Sequence, residues 1–206
     1  MSNGFDQLSG LQLDALREVG NIGAGNAATA LAQMINARID MTVPRVTILP
    51  LGDVPELTGG ADSFVVGVYL GVTGSARASI LFVLPVENAL HLVDMLMGRN
   101  SGETQFLDEM EVSALQEVGN IIASTYLNAL AMFTGLTLVP SVPAFGMDMA
   151  GAILNAVLAQ FGTAGDYVLV LETEFKREGQ DVVGHFFMLP EPGALELILS
   201  ALGVSE

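Results

Sequence analysis

Two glutamate–asparagine pairs are the residues of this sequence whose types and spacing suggest chemistry. Glu18 and Asn21 stand three residues apart, and Glu117 and Asn120 repeat the arrangement at an offset of 117 − 18 = 99 residues. An asparagine amide offers one acceptor oxygen and two donor hydrogens, and it cannot act as a general base. It can instead hold a water in position for attack on a phosphoryl group, as a glutamine does in GTPases. Such a pair therefore needs most of the remaining machinery to come from its substrate.

Both pairs belong to a nine-residue stretch that occurs twice, at 13–21 and at 112–120. An internal repeat indicates an architecture before any other signal does. Each copy follows a capping box, in which a Ser or Asp side chain and the Gln or Glu three residues later satisfy free backbone groups at the start of a helix. The sequence therefore predicts two long helices, over about 10–36 and 109–134.

The two faces of each predicted helix differ. At about 100° per residue, each pair shares a polar face with the residue one turn earlier, which is Asp14 in the first copy and Ser113 in the second. The opposite faces carry apolar stripes that run to Met34 and Phe133. We therefore expect these stripes to pack in the core and each Glu and Asn to face solvent.

A Glu and an Asn on a solvated helix face need no function, but two further features recur. A Gly-Asn dipeptide interrupts both helices, although Gly costs about 1 kcal/mol relative to Ala inside a helix. Twenty-two residues separate Asn21 from Pro44, and the same number separate Asn120 from Pro143. The shared spacing favours a functional site over a merely solvated face.

The pattern Asp/Ser-x3-Glu-x2-Asn-x22-Pro resembles the signature of the CheC/CheX/FliY phosphatases of bacterial and archaeal chemotaxis. Both copies match it at every position, and the resemblance covers essentially the whole chain. Two intact copies in a chain of this length are most similar to the CheC branch. CheX members typically have one working copy, and FliY members carry an extra C-terminal flagellar-switch domain.

The resemblance implies a protein phosphatase that hydrolyses the aspartyl phosphate of a CheY-type response regulator in chemotaxis. Such a regulator brings its own Mg²⁺ and a Lys beside the phosphoryl group, so this chain is expected to bind no cofactor. Our hypothesis is that Asn21 and Asn120 position the attacking water and that Glu18 and Glu117 pair with the regulator's Lys.

Four further residues of the pattern are expected to support these sites. The side chains on the same face, one turn earlier, are expected to assist docking or to make local hydrogen bonds, and the prolines are expected to shape the nearby backbone. These residues are Asp14, Ser113, Pro44 and Pro143.

Composition excludes several other classes. The chain of 206 residues has no cysteine and only two isolated histidines, His91 and His185, so we expect no metal site. Its net charge of −16 disfavours nucleic acid and anionic membrane surfaces as partners. No signal sequence and no unbroken apolar span is present, so we expect a soluble cytoplasmic protein without membrane insertion. Two sites in one chain make a monomer the simpler expectation.

The expected fold is α+β, a single domain over 1–206 made of two similar halves, about 9–98 and 108–203. Each half should contain helix, strands and helix, related by a pseudo-two-fold, with two long helices on one face of a shared, mostly antiparallel sheet. In the first half we further predict an extended segment at 38–51, a loop at 52–62, strands at 64–70 and 75–84 joined through 72–74, and a helix at 86–97. In the second half we predict strands at 167–175 and 182–189 around a turn at 176–181, and a closing helix at 193–202.

A short helix expected at 149–161 has no counterpart in the first half. Its small residues fit either a core-packing helix or a docking surface, and in the family this helix is implicated in binding CheD, the receptor deamidase. The resemblance places that surface at Gly151, Ala152, Asn155 and Ala156. Two alternatives to the phosphatase stay open: a weakly catalytic or non-catalytic adaptor that binds CheD, and a scaffold of the flagellar-switch type. A small-molecule phosphatase is disfavoured, because neither copy supplies a nucleophile, a metal or a basic phosphate clamp.

Overall fold

The computed structural model describes residues 8–161, 167–177 and 180–205. Its elements in chain order are α1 (Gly10–Ile35), β1 (Asp40–Pro50), a 3₁₀ helix (Leu51–Thr58), β2 (Phe64–Gly74), β3 (Ala78–Pro85), α2 (Val86–Met97), α3 (Glu109–Thr134), β4 (Leu138–Pro140), β5 (Ala144–Met149), α4 (Ala150–Phe161), β6 (Tyr167–Arg177), β7 (Gln180–Pro190) and α5 (Ala194–Ala201).

One sheet of seven strands forms the centre of the described structure. Its order is β1-β6-β7-β3-β2-β4, with β5 also paired to β2, and every pairing is antiparallel. Successive strand residues point to opposite faces, so Val66 and Phe82 belong to the core beneath the long helices, whereas Val65 and Leu81 belong to a second core. The 3₁₀ helix and α4 cover that second face.

The two halves exchange their outer strands. Strand β1 of the first half pairs with β6 of the second, while β4 and β5 of the second half pair with β2 of the first. The two halves also meet at the centre, where β3 pairs with β7. Each half therefore completes the other's sheet, and the expected α+β fold with duplicated halves and a shared sheet is confirmed.

Some details of the sequence prediction were wrong. The segment 52–62 is not only a loop, because most of it forms the 3₁₀ helix. Strand β2 continues to Gly74, so the turn before β3 lies at 75–77 and not at 72–74. Met34 and Phe133 are 44% and 47% exposed, so the apolar stripes are not covered to the ends of the long helices. Part of the turn predicted at 176–181, residues 178–179, lies outside the described residues.

The long helices pack closely against each other at one point. A Cβ at Gly23 of α1 would lie 3.0 Å from the Cα of Tyr126 and 3.2 Å from its backbone nitrogen on α3. Tyr126 is buried at this crossing, its ring lies 5.3 Å from that of Phe186, and burial raises the pKa of its phenol. Gly25, two residues further along, meets nothing within 4 Å of such a Cβ. Close packing thus explains Gly23 but not Gly25.

The start of α3 is held by a polar network in the preceding linker. Buried Asp94 accepts backbone hydrogen bonds from Gly102, Glu103 and Thr104 at 2.7, 3.2 and 2.9 Å. Burial alone would raise the pKa of Asp94, but the hydrogen bonds from these three residues outweigh it and hold the pKa below its ordinary value. Glu111, which completes the capping box of α3, is buried and pairs with Arg99 at 2.8 Å.

The start of α1 is fixed by a capping box and one further hydrogen bond. The Ser9 hydroxyl and the Gln12 side chain form the capping box. The same Gln12 amide donates to the carbonyl of Val204 at 3.0 Å, which ties α1 to the segment after α5. Both helices that carry a Glu–Asn pair are therefore fixed at their first turn. Within the described residues, no helix is long and apolar enough to cross a membrane.

Alanine substitutions at Gly23 and Gly25 distinguish the contribution of close packing to stability from that of helix propensity. Gly23→Ala should destabilise the fold by about 1–3 kcal/mol, since its methyl group meets backbone that cannot rotate away. Gly25→Ala should stabilise it by up to about 1 kcal/mol, because Ala is the better helix former and the site is open. Urea unfolding of both variants measures the difference, and equal effects would contradict the described helix crossing.

Removing the charge of Asp94 should weaken the fold in a pH-dependent way. Asp94→Asn should cost about 1–3 kcal/mol near pH 7, because a buried charged acceptor of three N–H groups is lost. The folded pKa lies below the unfolded value of about 3.9. The carboxylate's contribution is thus complete above the unfolded pKa and disappears as the pH falls through the folded one. Urea unfolding at several pH values should show the gap to wild type closing below about pH 4, whereas exposed Asp62→Asn should show little gap at any pH.

Candidate functional site

The glycine before each signature asparagine lets its helix lie close to the sheet. A Cβ at Gly20 would be 3.1 Å from the Leu171 side chain and 3.4 Å from that of Val43. A Cβ at Gly119 would be only 2.6 Å from the Val68 side chain. The recurrent Gly-Asn therefore has a packing reason, because each glycine lets its helix lie close to a strand of the sheet.

The predicted exposure of the Glu–Asn pairs on α1 and α3 is confirmed for three of the four residues and met only in part by Asn120. Glu18, Asn21 and Glu117 are exposed, whereas Asn120 is half-buried. Residues three apart on a helix are neighbours, so each carboxylate stands beside its amide. Each pair thus offers an anionic group and a neutral hydrogen-bonding group to a partner that approaches the helix.

In the first half the asparagine is bonded to the neighbouring strand. The Oδ1 of Asn21 accepts a hydrogen bond from the backbone N–H of Val43 at 3.1 Å. This N–H is free to do so because the register of β1 against β6 shifts between Thr42 and Arg45, which is a β-bulge. Pro44 lies in the bulge, where its missing N–H leaves no ladder bond unmade. The proline of the signature thus marks the point at which the strand turns a donor towards α1.

In the second half, a different side chain of the helix is hydrogen-bonded to the segment that contains the signature proline. Pro143 lies in the gap between β4 and β5, and its carbonyl accepts a hydrogen bond from the Gln116 side chain at 3.3 Å. Among the side-chain hydrogen bonds of the described residues, Asn120 has none. Val142, the counterpart of Val43, is 87% exposed. The two halves carry the same residue types on their helices, but only the first bonds its asparagine to the neighbouring strand.

The residues expected to support the pairs make local contacts. Asp14 forms an exposed ion pair with Arg17 on its own helix at 2.9 Å. The Ser113 hydroxyl donates to the carbonyl of Glu109 at 2.7 Å. Neither bond reaches the adjacent strand, so both residues act within their helices in the described structure.

The short helix α4 has a buried side and an open side. Leu154 and Val157 pack in the second core, whereas Ala152, Asn155 and Ala156 are exposed. Gly151 is partly enclosed, because its N–H donates to the Ala61 carbonyl at 3.0 Å and a Cβ there would lie 3.3 Å from that oxygen. The core-packing interpretation thus holds for one side of α4, and the predicted docking residues other than Gly151 lie on the other.

The buried histidine lies apart from the Glu–Asn pairs. His185 in β7 shares a sheet face with Phe187, which belongs to the core under the 3₁₀ helix and α4. Burial lowers the pKa of His185, although Glu172 and the Leu57 backbone oppose the shift. His185 is therefore separated by the sheet from the two long helices.

Sequence reasoning missed the contacts of Val43 and Gln116. Val43 is an ordinary β-branched residue whose backbone is used, and no side-chain pattern reports a backbone donor. The one available signal was position, because Val43 and Val142 each precede the signature proline.

The fold is shared with a solved structure of a FliY protein. The crystal structure of FliY from Thermotoga maritima superposes with a TM-score of 0.76 at 24% sequence identity, covering 97% of this chain and 99% of that one. At this identity the likeness bears on the fold alone. A FliY of Bacillus subtilis, named as a flagellar motor switch phosphatase, is 33% identical over 119 residues, which are 56% of this chain and 30% of that protein.

A relative that matches over nearly its whole length identifies the protein family of this chain. A Bacillus subtilis protein named CheY-P phosphatase CheC is 38% identical over 205 residues, covering 98% of this chain and 98% of that protein. The model of the CheC-like family matches residues 11–48 and 110–147, the two segments that carry the Glu–Asn pairs and their prolines. The chain belongs to the CheC-like family, which confirms the resemblance drawn from the repeated signature.

Proposed function

We propose that this protein accelerates hydrolysis of the aspartyl phosphate on a CheY-type response regulator, using two sites on one chain. The observation that carries the proposal is the outward placement of Glu18 with Asn21 on α1 and of Glu117 with Asn120 on α3. The names of its relatives in Bacillus subtilis, a CheY-P phosphatase and a motor switch phosphatase, point to the same reaction.

Each site contributes a positioned water. The regulator brings the phosphoryl group on its Asp together with its own Mg²⁺ and Lys, which stabilise the charge of the transition state. The amide of Asn21 or Asn120 holds a water in line with the bond to be broken. The water oxygen bonds to phosphorus as the Asp–phosphorus bond breaks, giving free phosphate and the regulator's carboxylate. Positioning the water can contribute several kcal/mol to the lowering of the barrier.

The glutamates orient the regulator. Glu18 and Glu117 are exposed in the free protein, so they reach the regulator's Lys without rearrangement of the fold. Docking removes water from this ion pair and strengthens it beyond the value of an exposed salt bridge. Because both sites lie on one chain, we expect the protein to act as a monomer. We also expect it to act in the cytoplasm.

The asparagines should be required for activity. Asn21→Ala and Asn120→Ala should each remove part of the phosphatase activity, and the double variant should lose about 100-fold or more, as expected for a few kcal/mol of barrier. The measurement is loss of ³²P from a phosphorylated CheY-type regulator. Asn26→Ala and Asn128→Ala, which change exposed asparagines on the same two helices, are matched controls and should keep full activity.

Two results would count against this proposal. A folded double variant with full activity would remove the asparagines from the mechanism. A wild-type protein that binds the regulator without accelerating hydrolysis would favour the scaffold alternative. Chelation of Mg²⁺ should also stop turnover, because the regulator needs the metal.

Binding of CheD is the second candidate function, and the open side of α4 favours it. Ala152, Asn155 and Ala156 present small exposed side chains on a helix whose other side is anchored in the core. A partner can approach such a surface closely. Activity that appears only when CheD is added would move this adaptor function ahead of the phosphatase.

Bulky residues on that open side should separate the two functions. Ala152→Arg with Asn155→Arg should abolish CheD binding, measured by calorimetry, and leave basal dephosphorylation intact. Gly151 is unsuitable for this test, since its contact with Ala61 makes it structural. Unchanged CheD binding in the double Arg variant would place the docking surface elsewhere.

A further inference from the structure

We propose that the backbone N–H of Val43 is a positioning group for the reaction, one that fixes the amide of Asn21 and that the second site lacks. The inference rests on the proposed function and adds to it a difference in how the two sites hold their waters. It is carried by the 3.1 Å hydrogen bond from Val43 to Asn21 and by the bulge that frees this N–H.

The donor is held rigidly. The Val43 side chain is buried and packs near Gly20, one residue before Asn21, so strand and helix are fixed to each other at this point. Pro44 biases the backbone of Val43 towards extended conformations, which narrows the range of positions that its N–H can take. The donor is therefore held beside Asn21, and Val43 has no partner residue in the register of β6.

A fixed donor selects one orientation of the amide. With Oδ1 towards Val43, the Asn21 NH₂ group points away from the strand and one lone pair of the oxygen stays available. The flipped amide would set its NH₂ group against the Val43 N–H, two donors facing each other. Asn21 therefore meets the attacking water in a single preset orientation, which is the kind of preorganisation that lowers a barrier without tightening binding.

The second site has no equivalent device within the described structure. Val142 lies in the gap between β4 and β5 and is 87% exposed, and the neighbouring Pro143 is bonded to Gln116 instead of the asparagine. Asn120 must then take up its orientation during docking. Removing the Val43 N–H should thus lower kcat at the first site alone, whereas KM, which follows docking through Glu18, should hardly change.

Single-site enzymes make the effect measurable. In an Asn120→Ala background only the first site works, and there Val43→Pro removes the N–H at a bulge position where no ladder bond is lost. We expect kcat to fall about three- to tenfold with KM within about twofold. Val43→Ala keeps the N–H but loses part of the buried side chain, so its kcat should fall by less than that of Val43→Pro. In the Asn21→Ala background, Val142→Pro is the matched control and should change neither.

A second measurement tests the hydrogen bond without relying on a proline variant. In wild type the Val43 amide should exchange slowly with solvent by NMR, and in Asn21→Ala it should exchange at least about tenfold faster, while the amides of β7, which is paired on both sides, keep their protection. Unchanged Val43 exchange, or full kcat in a folded Val43→Pro enzyme, would overturn the proposal. If the Asn120→Ala and Asn21→Ala enzymes are both inactive and wild type is too, the proposed function itself fails.

Discussion

Close contact between the long helices and the sheet is the constraint on which the sites depend. Gly20 and Gly119 have no side chain, so each helix lies close to the strands beneath it, and in the first half Asn21 reaches β1. A larger residue would push the helix outward and separate the amide from the strand that follows it in sequence. The glycine is costly for the helix itself, and its recurrence shows that depth of packing outweighs helix propensity here.

The two halves repeat residue types more faithfully than they repeat bonds. The continuous strand β1 carries a bulge and donates to Asn21, whereas the matching segment of the second half is divided into β4 and β5 and accepts from Gln116. Position 17 is an arginine in one copy and position 116 is a glutamine in the other. Together with the difference between Asp14 and Ser113, this gives an ion pair within α1 in the first copy and a hydrogen bond from Gln116 to the Pro143 carbonyl in the second. Duplication thus preserved the reacting groups while their supports diverged.

Sequence reasoning predicted the long helices most accurately, because their signals are local. The capping boxes of Ser9 and Asp108 place both helix starts, and Gly135 ends α3 in the left-handed conformation that favours glycine. The outward placement of the Glu–Asn pairs followed from periodicity alone. What could not be predicted depends on tertiary structure: the exposure of Met34 and Phe133 depends on which elements pack over the helix ends, and the contact of Val43 depends on a register shift between distant strands.

The exchange of outer strands makes the two halves depend on each other for folding. Since β1 belongs to the sheet of the second half and β4 with β5 to that of the first, a chain holding one half alone would leave a sheet edge unpaired and apolar residues uncovered. One half alone would need a second copy of itself to bury the same surface. In this chain the same pairings form within one molecule, so the two halves should unfold together, and a change that weakens either half should lower the stability of both sites.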